Sequence, residues 1–237
     1  MSDNIRKYYE TVQTPWGKLF YGCLWAQLSL SGKTILDFGS GFGLTSEHFA
    51  KDNEVVAVEP DREMLSLRFG ENYRQVCGGA EQLKDFSSGS FDVILCHNVL
   101  EYVHDRDAIL LEFSRLLKKD GVLSVVKHNP NGKIMHKAVF NCDADGAIAL
   151  LDGGVAVSES FGTIGEYDNK ELEEWGGGKF CIERVCGVRH FFGLQRNEVK
   201  NQTGWADKML RLECRVATIP AFRDIAFFHH VILRRSE

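Results

Sequence analysis

The chain has 237 residues, enough for one large α/β domain or two small ones, and chains of this length bury about 70% of their unfolded surface without staples. With 44% hydrophobic residues, 26% charged residues and only 4 prolines, a disordered, collagen-like or coiled-coil chain is excluded. The formal net charge of −5 lends no support to broad electrostatic capture of nucleic acid.

No apolar run approaches the roughly 20 residues needed to span a bilayer. The amino terminus, Met1-Ser2-Asp3-Asn4-Ile5-Arg6-Lys7, lacks the basic-then-apolar order of a secretory signal. A cytoplasmic protein with no membrane partner is expected, its oligomeric state open. The 7 cysteines (Cys23, Cys77, Cys96, Cys142, Cys181, Cys186, Cys214) form no CxxC and no zinc-like grouping. They read as small buried hydrophobes, with a Cys181–Cys186 pair as the alternative. No metal is expected.

In chain order, the first elements are aromatic. Tyr8, Tyr9, Trp16, Phe20, Tyr21 and Trp25 fall on helical spacing, which predicts a helical cap over residues 1–31 or helices packed on a sheet. Residues 32–128 alternate apolar runs with helical segments, the signature of βαβ units. Thr34–Phe38 reads as a buried first strand, followed by a glycine turn and a helix from Leu44 to Lys51. Glu54–Val58 is the second strand, followed by a helix from Asp61 to Phe69. Tyr73–Cys77 is the third and Phe91–Cys96 the fourth, followed by a helix from Arg106 to Leu117. Lys118-Lys119-Asp120-Gly121 reads as that helix's end, with cations in the last turn and glycine past it, and Val122–Val126 is the fifth strand. In residues 129–237 the regularity breaks. Asn129 to Gly165 reads as an insertion over the sheet's carboxyl edge. Asp168 caps a helix to Trp175, and Gly204–Val216 is a helix between strands at Phe180–Val188 and Phe227–Arg234. The expectation is one α/β domain: a Rossmann-like, seven-stranded, mostly parallel sheet with helices on both faces.

The strongest motif is Asp37-Phe38-Gly39-Ser40-Gly41-Phe42-Gly43, between the first strand and its helix. Glycines there permit a tight turn and close approach to a ligand, and ligands of open α/β sheets sit outside the strands' carboxyl ends. A glycine turn taken alone also fits any function. Leu44 stands where a dinucleotide fingerprint needs its third small residue. Asp37 suits the ammonium of a methionine moiety and would repel a pyrophosphate. Glu59, ending the second strand 20 residues past Gly39, suits the two ribose hydroxyls, with Asp61 as a rival. Met64 reads as an adenine contact or as ordinary core. Ala80-Glu81 reads as the adenine edge, with Glu81 equally a solvated carboxylate. His97-Asn98 ends the fourth strand facing the reacting region, and His97 reads equally as structural. Gly39, Ser40 and Gly41 complete a set that reads as a site for S-adenosylmethionine.

Several segments carry a family resemblance: His97-Asn98-Val99-Leu100-Glu101-Tyr102, Gly121-Val122-Leu123-Ser124, Asn129-Pro130-Asn131-Gly132-Lys133-Ile134-Met135-His136 and Gly187-Val188-Arg189. Leu212-Glu213-Cys214-Arg215 and Phe228-His229 match more loosely. Over nearly its whole length the chain resembles a class I methyltransferase. More narrowly, it is similar to the bacterial tRNA 5-carboxymethoxyuridine methyltransferase group. The resemblance implies S-adenosylmethionine as cofactor, tRNA as partner and the carboxylate of a modified wobble uridine as methyl acceptor. The chain departs from that group at Phe20, where an Arg is usual after Gly17-Lys18-Leu19, and at Phe192-Gly193-Leu194, where a His-Asp-Tyr run is usual.

A carboxylate acceptor is ionised at neutral pH, so no general base is expected and no catalytic residue is named. It needs an orienting cation, for which Arg189 is the candidate; His136, Arg215 and His229 are weaker candidates. Arg189 also reads as a surface residue after a strand. A basic groove around Lys127, His128, Lys133, His136, Lys137 and Arg189 would suit RNA. An enclosed apolar pocket of roughly 300–1,000 Å³ would suit the alternative, a small-molecule O- or C-methyltransferase. A non-catalytic cofactor-binding module is a third reading, and a nicotinamide oxidoreductase is disfavoured by Asp37 and Leu44.

Overall fold

The structure is a computed structural model that describes residues 2–154, 157–158 and 162–236. Helix α1 (Asp3–Gln13) starts where Ser2 accepts a hydrogen bond from Ile5 N–H, and α2 (Pro15–Gln27) follows with Pro15 in its first turn. A proline is tolerated there because its missing N–H would have had no helical partner. Strand β1 (Thr34–Phe38), α3 (Leu44–Phe49), β2 (Glu54–Glu59), α4 (Arg62–Ser66), β3 (Arg74–Cys77), β4 (Phe91–His97), α5 (Arg106–Leu116) and β5 (Leu117–His128) then alternate. Next come α6 (Pro130–Met135), a π-helical turn (His136–Phe140), α7 (Ala144–Leu151) and the short strands β6 (Val157–Ser158) and β7 (Gly162–Thr163). The chain closes with α8 (Asn169–Gly178), β8 (Phe180–Val188), α9 (Asn197–Lys200), α10 (Trp205–Val216), α11 (Pro220–Arg223) and β9 (Phe228–Arg235).

Among the described residues seven strands form one sheet in the order β3-β2-β1-β4-β5-β9-β8. The pairs β1–β2, β1–β4, β2–β3 and β4–β5 are parallel. Connections reverse direction between β1 and β4, the switch point outside which open α/β sheets bind ligands. Ile35, Leu36, Ile94 and Leu95 on these two strands are fully buried, each worth about 1.5–3 kcal/mol of apolar burial. Such continuous apolar runs are what a sheet covered on both faces requires.

The chain divides into two compact units of interleaved segments. A sheet unit comprises Leu30–Lys127, Tyr167–Arg184 and Val231–Glu237; a helical unit comprises Met1–Ser29, His128–Glu166 and Val185–His230. Tyr167–Arg184 and the carboxyl-terminal strand segment from Val231 fall in the sheet unit. In the sheet unit, α8 packs on α5, and Gly176 lies so close to Leu110 that an added Cβ would stand 2.9 Å from its carbonyl carbon. The Asp168 cap is a full capping box, with Glu171 returning a bond to the cap's N–H.

Three sequence expectations change. Lys118-Lys119-Asp120-Gly121 does not end α5 but extends β5, with Asp120 at φ 61 and a register shift between Phe91 and Val93 absorbing the extra residues. A bulge and a helix end both favour glycine and charge, so composition alone does not separate them. The stretch after Asn129 is helical as far as Leu151 rather than irregular; its residues 155, 156 and 159–161 lie outside the described residues. Of the cysteines read as buried, Cys77, Cys142 and Cys181 are exposed, while Cys186 is buried. Five residues apart on β8, Cys181 and Cys186 point to opposite sheet faces and do not pair.

Candidate functional site

In the sheet unit, β1 ends at Phe38 and the chain turns through Gly39, Gly41 and Gly43 at φ 73, 56 and 75. All three lie in the left-handed region that glycine enters freely, but their surroundings differ. A Cβ on Gly39 would run into Val99, and one on Gly43 into the Tyr73 hydroxyl. On Gly41 it would meet only Met64 Sδ, at 3.9 Å. The middle glycine therefore borders open space, which is where a ligand has room.

The loop's N–H groups are engaged. Gly39 and Ser40 donate to the Val58 carbonyl at 2.8 and 3.1 Å, and Gly43 donates to Ser40 O at 2.9 Å. Gly41 donates to Glu59 Oε2 at 2.8 Å, and Asp61 N–H donates to Glu59 Oε1 at 2.9 Å. Glu59 is 6% exposed, and burial raises its carboxyl pKa against the pull of those two donors. Each oxygen keeps a second lone pair, so the carboxylate can still accept from ribose hydroxyls. The rival Asp61 is the N-cap of α4, accepting from Glu63 N and Met64 N.

Asp37 is 3% exposed and accepts the Ser46 hydroxyl at 2.6 Å. Burial pushes its carboxyl up to about 6, the Ser46 bond opposes this, and nearby Glu59 adds to it. Its contact is thus with α3, which sequence reading missed because Ser46 looked like ordinary helix. Met64 is buried beside Gly41. Ala80 and Glu81 are exposed, and Glu81 accepts from Gly79 N–H at 2.7 Å, which lowers its carboxyl pKa. His97 Nε2 meets Ser124 Oγ of β5 at 2.8 Å, and burial pushes the imidazole down to about 3. His97 is neutral and ties two strands together. Gly41 lies against both Glu59 and Met64, and Asp37 and His97 bond to Ser46 and Ser124.

In the helical unit, Arg189 is 5% exposed at φ 62. Its guanidinium lies 4.9 Å from the ring centre of Trp16, 4.8 Å from Phe192, 4.8 Å from Phe227 and 5.6 Å from Phe228. Burial lowers its pKa to about 9, with Glu213 opposing, so it remains a cation at neutral pH. Its Nε has no hydrogen-bond partner among the described residues. The turn is held by Glu213 of α10, which accepts His190 N at 2.8 Å, Phe191 N at 3.0 Å and His190 Nδ1. His190 Nε2 is likewise buried without a partner among the described residues.

A half-open cleft with a cavity volume of only about 20 Å³ is lined by His136, Arg189, His190, Gly193 and Phe227, among others. His136 stacks on Phe140 at 4.7 Å, and burial beside Arg189 and Lys200 pushes it down to about 4. It is therefore a neutral member of the cleft. Arg215 is exposed on α10 and does not line it. Sequence reading missed His190 and Glu213, since a bond across 23 residues leaves no local pattern.

Three of the basic residues expected to form a groove, Lys127, Lys133 and Lys137, are engaged with protein partners. Lys127 is 3% exposed and donates to the Tyr167 carbonyl. Lys133 pairs with Glu166 at 3.0 Å and Lys137 with Asp143 at 2.7 Å. Asn129 donates to the Asp224 and Ala226 carbonyls at 3.0 and 2.8 Å, and Gly132 packs on Ala226. From Asn129 to His136, most of the segment serves packing. No group of three or more metal-ligating side chains occurs among the described residues, and none of their helices is long and apolar enough to cross a membrane.

Residues 36–125 match the methyltransferase domain family. The chain is 30% identical over 178 residues to a ubiquinone biosynthesis O-methyltransferase of Psychrobacter cryohalolentis, covering 70% of this chain and 65% of that protein. The chain spans 47% to 65% of the length of the first curated relatives it matches. Its fold is that of an S-adenosylmethionine-dependent methyltransferase from Thermotoga maritima (TM-score 0.64, 16% identity, 98% of this chain and 96% of that one). One from Mesorhizobium loti agrees (TM-score 0.57, 17% identity, 93% and 97%).

Proposed function

We propose that this chain, which carries a methyltransferase domain of the S-adenosylmethionine-dependent fold, methylates an oxygen of a small acidic acceptor anchored by Arg189. The cofactor fits the residues present. Gly41 borders open space beside Met64, and Glu59 keeps free lone pairs at the end of β2. When bound, S-adenosylmethionine supplies a sulfonium-activated methyl carbon. The chain's own task is then to hold and orient the acceptor.

The observation that carries the acceptor reading is Arg189. It is a buried cation among aromatic rings, with an unpartnered Nε and no carboxylate in ion-pair contact among the described residues. A buried unpaired charge is costly, and an anionic ligand removes that cost. The name of the curated relative, an O-methyltransferase, supports a small acceptor, as does the engagement of Lys127, Lys133 and Lys137 within the protein. A second reading, methylation of a wobble-uridine carboxylate in tRNA, draws on the same guanidinium, which suits a carboxylate equally.

Two measurements test this. Calorimetry should give micromolar binding of S-adenosylhomocysteine that Glu59→Ala weakens about tenfold, or about 1.4 kcal/mol. A labelled-methyl screen should then find turnover on a hydroxylated carboxylic acid and not on its methyl ester. Arg189→Ala should raise KM for that acid at least tenfold. Turnover confined to tRNA carrying the carboxymethoxy group would replace the small acceptor with the second reading. Equal turnover of acid and ester would sink the role of Arg189.

A further inference from the structure

The direction in which the cofactor lies follows from the strand order, if the reading above holds. Glu59, the ribose residue, ends β2, and β1 stands between β2 and β4. A molecule whose ribose meets Glu59 and whose length crosses the glycine loop brings its methionine end to β4. Asn98 follows the last residue of β4.

Asn98 carries two costs at once. It lies at φ 55, a left-handed conformation that asparagine tolerates better than most side chains but that is still strained. Its Oδ1 is buried without a hydrogen-bond partner among the described residues, so its lost solvation is not made good. Its N–H is fixed by the Val126 carbonyl at 2.8 Å, and the next residue, Val99, packs on Gly39. If the turn needed only a left-handed residue, glycine would serve without strain and without a stranded carbonyl. Inference runs from such an outlier to function.

Of the nearby carboxylates, Asp37 already takes the Ser46 hydroxyl on Oδ2, and its burial disfavours the ionised form. The loop's N–H groups are donors and point to Val58, Ser40 and Glu59. A positively charged hydrogen-bond donor arriving at β4 finds in the Asn98 side chain a buried acceptor with no partner among the described residues. We propose that Asn98 Oδ1 accepts a hydrogen bond from the ammonium of the cofactor's methionine moiety, making Asn98 a cofactor-positioning residue.

The test uses three adenosyl ligands in calorimetry. S-adenosylhomocysteine has ammonium and carboxylate, S-adenosyl-3-thiopropylamine keeps only the ammonium, and 5′-methylthioadenosine has neither. Asn98→Ala should weaken the first two about tenfold and leave the third within about twofold, a gap of about 1.4 kcal/mol. Asn98→Asp, which keeps an acceptor oxygen, should restore both. Asn98→Gly should bind like the alanine variant yet melt no lower than wild type, because glycine relieves the left-handed strain. Equal weakening of all three ligands by Asn98→Ala would mean a structural role and would overturn the proposal, as would weakening of none. If wild-type protein binds none of the three, the cofactor reading itself falls, and this inference with it.

Discussion

A carboxyl group shut away from water holds its proton more tightly, and Asp37, pushed up to about 6 by burial, shows what the cofactor loop costs the fold. Its folded pKa lies above the ordinary value of 3.8. The stability it contributes is therefore complete below about pH 4 and is lost as pH rises through about 6. Above that, the ionised group costs on the order of 3 kcal/mol relative to the unfolded chain. Asp37→Asn keeps an acceptor for Ser46 and cannot ionise. In urea titrations it should be more stable than wild type at pH 8, with the gain shrinking towards pH 4. The same variant should bind S-adenosylhomocysteine within about threefold of wild type if the ammonium lies at Asn98. A stability gain of equal size at both pH values would mean that burial of the charge is not its source.

At the scale of the element, the strand–loop–helix of β1 and α3 separates glycines pressed against the fold from the one that borders open space. Gly39→Ala forces a Cβ into Val99 at φ 73, so it should destabilise the chain by at least 2–3 kcal/mol. Gly41→Ala meets nothing closer than Met64 Sδ at 3.9 Å. It should cost only about 1–2 kcal/mol of left-handed strain while lowering affinity for S-adenosylhomocysteine more than tenfold. Paired melting and calorimetry would show the split, and parallel losses in both variants would refute it. The sequence made this element legible because a buried parallel strand is a continuous apolar run closed by turn residues, and Asp37, Glu59 and the glycines sit at its end. It did not reveal which partner each side chain takes. Asp37 reaches Ser46 and His97 reaches Ser124, contacts set by register and helix phase rather than by any local pattern. Charge and glycine mark both a helix end and a bulged strand, so the composition of Lys118–Gly121 fits either, and the structure has the strand. Glu213, which holds the Arg189 turn, lies on a helix whose surface spacing gives no hint of it.

For the whole molecule, the contest between a small acceptor and RNA is decided by where the positive charge is free to act. The chain carries a formal charge of −5. Lys127, Lys133 and Lys137, the lysines of the expected groove for phosphates, bond within the protein, and Arg189 is buried. A protein that neutralises six to ten phosphates loses roughly 10³–10⁵ in affinity between 50 and 200 mM salt. One guanidinium on one carboxylate, shielded by aromatic rings, is screened far less, because buried pairs lie largely outside the ionic atmosphere. Across that salt range, KM for the acidic acceptor should therefore rise by less than about threefold. S-adenosylhomocysteine affinity should stay unchanged within error, as an internal control for folding. A rise of a hundredfold or more in KM, with cofactor affinity constant, would mean that the acceptor presents many phosphates and that the basic side chains leave their internal partners to meet them.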